Sequence, residues 1–328
     1  MSDSQCLIDF KRIIREANYT NTYKMAWGKA LVELSLTLKD SKEDPVVVPL
    51  SSIAALMIKY YWNQGIFFNL LQGSNFSEPP VVCQIVNDLI AHFYKLKGEK
   101  IPVIFEKASL YLKSKDPKYF QTAVVKAAAI LKLDVSYRFL KLGTENVKTL
   151  YYYEKGDDQL LISKQVLSDL AGESQDLFDL INYRWSLILE TFNSSPRINK
   201  KVRIMDERDI KRSPLERFDM FLDLQNPDHI CFICGKPIKD EELSRDHVIP
   251  WCYLYSDDLW NIVYVHKSCN SIKSNVIPTP QAIEQLKKRN LELRDAMMKL
   301  GHLGKDFDNL NMAIEHNLVD EFYIGCKR

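Results

Sequence analysis

The sequence predicts an α+β protein, in which a mainly helical N-terminal domain with a small β-hairpin region precedes a smaller C-terminal module. Two observations lead to this prediction. Apolar residues recur at helical spacing from Tyr23 to Leu131, and four cysteines fall close together near the C-terminus. The 328 residues are 46% hydrophobic and 27% charged, which is typical of a globular protein with a core, and this length allows two domains or one large one.

The helical part shows apolar faces at three- and four-residue steps. The first face runs from Tyr23 to Leu38, and Ser51 can cap a second helix that carries Tyr60 and Tyr61. Further helices are predicted over 81–96 and 119–131. The aromatic residues between positions 60 and 68 could stack on nucleic-acid bases, but their helical spacing favours a place in the core.

The periodicity changes after Leu133. Residues 135–140 are interpreted as a strand, and residues 149–163 as a β-hairpin around Gly156. A long amphipathic helix then ends at a breaker cluster that begins with Asn193. We therefore expect a mainly helical recognition or regulatory domain over 1–193, a basic linker over 194–228, a small module over 229–280 and a helical extension over 281–328.

Charge and hydropathy restrict the function classes. With 44 basic and 43 acidic residues the net charge is +1, so any basic surface must arise from local segregation. Two segments, 197–217 and 281–305, carry surpluses of four and three positive charges, and they are either solvated helix faces or phosphate contacts. No run of apolar residues is long enough for a membrane helix, and charged residues stand where a signal peptide would be apolar. We expect a cytoplasmic protein without a membrane partner.

Four of the seven cysteines indicate a metal site. Cys231 and Cys234 are separated by two residues and followed by Gly235, and His266 and Cys269 repeat the spacing. Each gap allows a tight turn to direct two ligand atoms at one ion, and three thiolates with one imidazole complete the tetrahedron of a structural Zn²⁺. The alternatives are a redox pair or an unliganded loop. Cys252 is a spare candidate ligand whose aromatic neighbours suit a packed position better.

Between these pairs stands a second set of polar residues. Asp246 and His247 precede a short apolar run, Asn261 follows His247 by fourteen residues, and Asn270 and Lys273 come after the second pair. Residues 231–278 resemble HNH endonucleases of the ββα-metal class, in an HNN variant because Asn270 stands where a histidine is common. With its helical N-terminal region, the chain is similar to prokaryotic restriction and phage-defence proteins of this type.

The resemblance implies a role for each of these residues. His247 is the general base, since an imidazole can take a proton from water near neutral pH. Asp246 and Asn270 bind the catalytic cation, and their oxygen atoms suit Mg²⁺ or Mn²⁺. Asn261 holds the loop that orients His247. The candidate phosphate contacts are Lys273, Arg245, Lys200, Lys201, Arg203, Lys287 and Lys288.

The expected activity is metal-dependent hydrolysis of DNA phosphodiester bonds, in restriction or antiphage defence. The expected substrate is duplex DNA. A homodimer would supply two cutting centres, and any ATP use would need a separate ATPase subunit because the sequence has no P-loop. Two alternatives stay open: an RNA-cutting, toxin-like effector, and a catalytically silent, zinc-stabilised DNA-binding module.

Overall fold

The computed structural model describes residues 4–16, 19–75, 77–204, 206–210 and 213–327. It is 63% helical with a few short strands, which confirms the α+β class. The chain divides into two compact units: residues 1–193 with 198–210, and residues 194–197 with 211–328. In the described part of the chain, no helix combines the length and the apolar character that crossing a membrane requires.

The N-terminal unit is a helical bundle with two small sheets. Its helices are α1 (Gln5–Glu16), α2 (Tyr23–Leu38), α3 (Leu50–Phe68), α4 (Val81–Lys97), α5 (Phe105–Lys115), α6 (Pro117–Ile130), α7 (Ser136–Arg138), α8 (Lys164–Gly172), α9 (Ser174–Phe192) and α10 (Ile198–Val202). Its strands are β1 (Val46–Pro49), β2 (Lys141–Leu142), β3 (Glu145–Asn146) and β4 (Gln159–Ile162).

Four of the five aromatic residues of α3 lie in the core, as their helical spacing predicts, and Phe67 is half-buried. Tyr60, Tyr61 and Trp62 are at most 2% exposed. The rings of Tyr60 and Tyr61 meet Trp185 of α9 edge to face, with centroids 6.3 and 5.9 Å apart. These rings pack helices together, so they do not form a platform for nucleic-acid bases.

The predicted strand over residues 135–140 is wrong. Residues 131–135 form a π-helical turn that continues α6 and leads into α7. Leu131, Val135 and Phe139 follow one another at four-residue steps and are all buried. A short apolar run fits both periods, and here the helical one places Leu131, Val135 and Phe139 in the core.

The predicted hairpin over residues 149–163 forms only in part. Tyr152 pairs with Leu161 through a single bridge. The principal partner of β4 is β1, in antiparallel register from Val46 opposite Ile162 to Pro49 opposite Gln159. A pairing of segments so far apart in sequence leaves no local turn signal to detect.

The C-terminal unit is built on a ββα arrangement. Its elements are α11 (Asp219–Gln225), β5 (Leu243–His247), α12 (Trp251–Leu254), β6 (Ile262–His266), α13 (Lys267–Lys273), α14 (Pro280–Lys299), α15 (Lys305–Glu315) and α16 (Leu318–Cys326). Strands β5 and β6 pair antiparallel, from Leu243 opposite His266 to His247 opposite Ile262. The chain passes directly from β6 into α13.

Helix α14, which lies in the predicted helical extension, packs on this arrangement. Its apolar residues Ile283, Leu286, Leu293 and Met297 are buried, whereas Leu300, directly after the helix, is exposed. The buried guanidinium of Arg289 donates hydrogen bonds to the carbonyl oxygens of Leu259 and Ile262. These bonds tie α14 to the start of β6.

Candidate active site and metal centre

The four predicted zinc ligands converge. Cys231 and Cys234 lie on a tight turn, which Gly235 closes with a left-handed φ of 70° and an N–H donated to the carbonyl of Cys231 at 2.8 Å. His266 is the last residue of β6, and Cys269 lies in the first turn of α13. The ligand atoms of these four residues all lie within 4.8 Å of one another. We call this set the zinc cluster; it does not include Cys252, which lies in α12.

The imidazole of His266 is oriented for metal binding. Its Nδ1 lies 3.4 Å from the Sγ of Cys234 and 4.0 Å from that of Cys269. On the other side of the ring, Nε2 donates a hydrogen bond to the carbonyl of Pro237 at 3.2 Å. This bond fixes the tautomer whose Nδ1 lone pair faces the thiols, an arrangement typical of metal-bound histidines.

The electrostatics of the thiols also fit a cation. Burial opposes the thiolate of Cys231, but N–H groups of Cys234, His266 and Ile233 bring its pKa down to about 6. Desolvation and the neighbouring sulfur atoms of Cys234 and Cys231 raise the pKa of Cys269 to about 11. A bound Zn²⁺ would relieve this repulsion and keep all three thiols ionised. The cluster can therefore hold zinc. The four protein ligands would fill its coordination shell, so no position would be open to a substrate.

The predicted catalytic residues Asp246 and His247 are neighbours at the end of β5, opposite Val263 and Ile262. Because successive side chains of a strand alternate, the two point to opposite faces. The Nε2 of His247 lies 2.9 Å from a carboxylate oxygen of Asp257. His247 is 5% exposed, so this contact is largely shielded from solvent.

Asp257 is a site residue that sequence reasoning missed. Burial disfavours its charge, but the hydrogen bond and charge interaction with His247, a backbone N–H of Ser213 and the nearby Arg217 lower the pKa of this carboxyl below its ordinary value. Asp257 is thus held ionised beside the imidazole. Its neighbour Asp258 instead accepts a hydrogen bond from Asn309 at 2.9 Å. The sequence shows two adjacent aspartates and nothing that distinguishes them.

Asn261 is fully buried and holds the backbone that follows His247. Its side-chain oxygen accepts a hydrogen bond from the N–H of Ile249, and its amide nitrogen donates to the carbonyl of the same residue, both at 2.8 Å. The N–H of Val248 donates to the Asn261 carbonyl at 2.9 Å. These three bonds fix the segment directly after the imidazole.

Asp246, Asn270 and Lys273 supply the polar groups on the other face. The Nζ of Lys273 lies 2.8 Å from the Oδ2 of Asp246 and donates to the carbonyl of His247 at 2.7 Å. That Oδ2 atom is buried, with the Lys273 ammonium as its ion-pair partner. The amide nitrogen of Asn270 donates to the hydroxyl of Ser244 at 3.0 Å, and within the described residues its amide oxygen has no hydrogen-bond donor.

These groups suit a divalent cation, and two of them line a cleft. A carboxylate and an amide oxygen without a hydrogen-bond donor are ligands of the type that Mg²⁺ and Mn²⁺ prefer. Asp246 and Lys273 also line a cleft of about 350 Å³ that is otherwise bordered mainly by apolar residues of the same unit.

The residues predicted to contact phosphate differ in their exposure and in their ion pairs. Arg245 is not free, because its guanidinium forms a two-point ion pair with Asp219. Lys287 is paired with Glu284 at 3.0 Å and Asp320 at 2.9 Å. The side chain of Lys288 is 81% exposed and lies 3.9 Å from Glu292.

The other three belong to the N-terminal unit, in α10 and directly after it. Lys200 is exposed, and Arg203 pairs with Asp179 at 3.2 Å. Lys201 is fully buried, with its Nζ 5.4 Å from the ring centre of Phe68. The predicted phosphate contact through Lys201 is therefore wrong. Its spacing from the buried Ile198 places both residues on the inner face of α10.

Comparison with known proteins agrees with this geometry. Residues 231–279 match the family model of HNH endonucleases. The matched range holds the whole zinc cluster together with Asp246, His247, Asn261 and Asn270. No curated protein and no solved structure matches the chain. The C-terminal unit therefore contains an HNH endonuclease domain, which supports a metal-dependent nuclease.

Proposed function

We propose that this chain is an endonuclease that hydrolyses the phosphodiester bonds of duplex DNA, with His247 as general base. The observation that carries the proposal is the Asp246–His247 pair on β5: a carboxylate for a cation and an imidazole for a proton, on opposite faces of one strand, at the other end of the ladder from His266. Hydrolysis needs both functions at a single phosphate.

The hydrogen bond to Asp257 supports Nδ1 of His247 as the base atom. A carboxylate that stays ionised accepts a hydrogen bond from the Nε2–H group, which leaves the Nδ1 lone pair to take a proton from the attacking water. Within the described residues Nδ1 has no hydrogen-bond partner, which agrees with this assignment. Asn261 keeps the ring in place by fixing the backbone of residues 248 and 249.

Asp246 and Asn270 would hold the catalytic Mg²⁺ or Mn²⁺. When bound, this ion neutralises charge that develops on the phosphate and on the leaving 3′ oxygen. Lys273 lies at the Asp246 carboxylate, where its ammonium can contact a phosphate oxygen once the cation takes over the carboxylate. An ion bound by the zinc cluster would take no part in the reaction and would stabilise the fold.

The test is a plasmid cleavage assay with a panel of divalent metals, in which the wild type is compared with His247→Ala. The proposal predicts cutting that needs added Mg²⁺ or Mn²⁺ and disappears in the variant, while zinc content and melting stay the same. Cutting of structured RNA but not of duplex DNA would favour the toxin-like alternative. Equal behaviour of both proteins would favour the silent DNA-binding module.

A role in restriction or antiphage defence is the biological setting we propose, and it is supported by the resemblance of the domain arrangement. Cells that express the wild type should resist phage infection or incoming plasmid DNA better than cells that express His247→Ala. A homodimer and a separate ATPase subunit remain part of this proposal. Light scattering of the purified chain tests the first, and co-purification from the native host tests the second.

A further inference from the structure

The N-terminal unit carries a strongly basic segment that is distinct from the two basic segments noted in the sequence. Residues 95–126 contain eight lysines and three acidic residues, whereas the other residues up to position 193 contain fifteen basic and nineteen acidic ones. All eight are exposed: Lys95, Lys97, Lys100, Lys107, Lys113, Lys115, Lys118 and Lys126. Positive charge is therefore concentrated on one part of a unit that is otherwise acidic.

Helix packing brings the ends of α4 and α5 together. Lys97 at the end of α4 and Lys115 at the end of α5 lie over the same ring, Tyr111, with their Nζ atoms 4.9 and 6.0 Å from its centre. The Tyr111 hydroxyl donates a hydrogen bond to the carbonyl of Leu96 at 3.2 Å. Two lysines that are distant in sequence thus share one site on the surface.

The junction between α5 and α6 lies against the same helix. The ring of His92 in α4 stacks on that of Tyr119 in α6, with centroids 3.9 Å apart. Lys113 lies over the ring of Phe120, 5.1 Å from its centre. Lys118 precedes Tyr119 in the first turn of α6. We call the set Lys97, Lys113, Lys115 and Lys118 the α5–α6 corner.

The three acidic residues of the segment leave a surplus of five positive charges against its eight lysines. Asp116 is engaged by His92, with 3.1 Å between the nitrogen and the carboxylate oxygen, and Glu106 pairs with Lys59 of α3 at 3.3 Å. Glu99 reaches Lys97 only at 4.0 Å. Within the described residues, no ion pair involves Lys95, Lys100, Lys113, Lys115, Lys118 or Lys126.

We propose that the α5–α6 corner is a phosphate-binding surface through which the N-terminal unit holds the backbone of duplex DNA. The choice of DNA as the polyanion rests on the proposed function. Lysines bind phosphate as point charges without reading bases, so the corner should bind any sequence with a steep dependence on salt. Such a surface would hold the substrate while the HNH domain supplies the chemistry.

The experiment measures binding without cleavage. The His247→Ala chain, with its zinc retained and no divalent metal added, is titrated against a labelled duplex over a series of NaCl concentrations. The test variant adds Lys113→Gln, Lys115→Gln and Lys118→Gln. The matched control adds Lys39→Gln, Lys42→Gln and Lys148→Gln, three exposed lysines outside the segment. All six side chains are exposed, so the melting temperature should not change.

The corner variant should bind about tenfold more weakly than the control, and the slope of log K against log salt should fall by about 1 for each lysine that contacts a phosphate. Equal affinities and slopes in the two variants would overturn the inference. Lysine-dependent binding to anionic phospholipid vesicles but not to DNA would also overturn it. If the chain binds DNA through the α5–α6 corner but never cuts it, only the proposed function is refuted. If the chain cuts DNA and its binding does not depend on the corner lysines, only this inference is refuted.

Discussion

The carboxylate of Asp257 lies 2.9 Å from the Nε2 of His247, and both side chains are largely withdrawn from solvent. The two residues come from different elements, the loop before β6 and the end of β5. A buried carboxylate that stays ionised fixes the imidazole in one tautomer and favours its positive form during proton transfer. In the proposed reaction Asp257 would therefore be a positioning residue that acts through His247.

Changing Asp257→Asn should lower kcat for DNA cleavage by about 100-fold and leave KM almost unchanged, because the amide cannot hold the same tautomer. Asp257→Glu should recover part of the rate. Steady-state cleavage kinetics with added Mg²⁺ measure both constants. The matched control is Asp258→Asn, since Asp258 contacts Asn309 and not the imidazole. A loss of the same size in the control would contradict the assignment.

The lowered pKa of Asp257 predicts how stability depends on pH. Because the folded state holds this carboxyl ionised more strongly than the unfolded state, its contribution is present above pH ~4 and is lost as pH falls through the folded pKa. The wild type should therefore lose unfolding free energy in acid more steeply than Asp257→Asn. Denaturant titrations at several pH values compare the two slopes, and identical slopes would be evidence against this linkage.

Removing one zinc ligand, as in Cys231→Ala, should release the metal and unfold the C-terminal unit, since the binding energy of structural zinc is part of the folding energy. Metal analysis and thermal melting measure the two effects. Cys252→Ala is the control, because Cys252 lies in α12 outside the zinc cluster. Unchanged zinc content and melting in Cys231→Ala would show that the ligand assignment is wrong.

Asp246→Ala separates the two metals. We expect DNA cleavage to fall by about 1000-fold or more, since the catalytic cation loses its charged ligand, while zinc stays bound at full occupancy. Plasmid cleavage and metal analysis of the same preparation give both values. The structural zinc ligands lie on other residues, so a loss of zinc in this variant would argue against two independent metal sites.

Lys29 gives a stability prediction for the N-terminal unit. This lysine is 1% exposed, its Nζ donates to the Oδ1 of Asn182 at 3.0 Å, and burial lowers its pKa to about 8. Between pH 8 and pH ~10 the unfolded chain binds the proton that the folded chain has lost, so stability should rise with pH in this window. Lys29→Met should show a smaller rise in denaturant titrations, and an equal rise would exclude Lys29 as its source.

The HNH domain could be located from sequence because its signals are local. Two short cysteine and histidine pairs, an Asp-His pair and two asparagines all fall within 40 residues, from Cys231 to Asn270. The partner of β4 could not be found in this way, since β1 lies more than a hundred residues earlier and no turn joins the two strands directly. Register between distant segments depends on packing, which a single sequence does not display.

The environment of individual side chains was the other feature that could not be predicted from the sequence. Lys201 and Arg245 read as basic residues in sequence, yet the first is turned into the core by its helix and the second is neutralised by Asp219. The α5–α6 corner was missed for the converse reason. Its lysines are spread over three helices, and only the packing of these helices brings them together, with Lys97 and Lys115 over Tyr111 and Lys113 over Phe120.

The hairpin of β5 and β6 has only five residue pairs, with His266 at one end and His247 at the other. A sliding of one strand by a single position would exchange the faces occupied by Asp246 and His247. A metal ion bound by His266 would lock this alignment from the far end of the ladder. Zinc depletion should consequently silence the nuclease by misaligning its two working side chains, even in molecules that keep most of their helices.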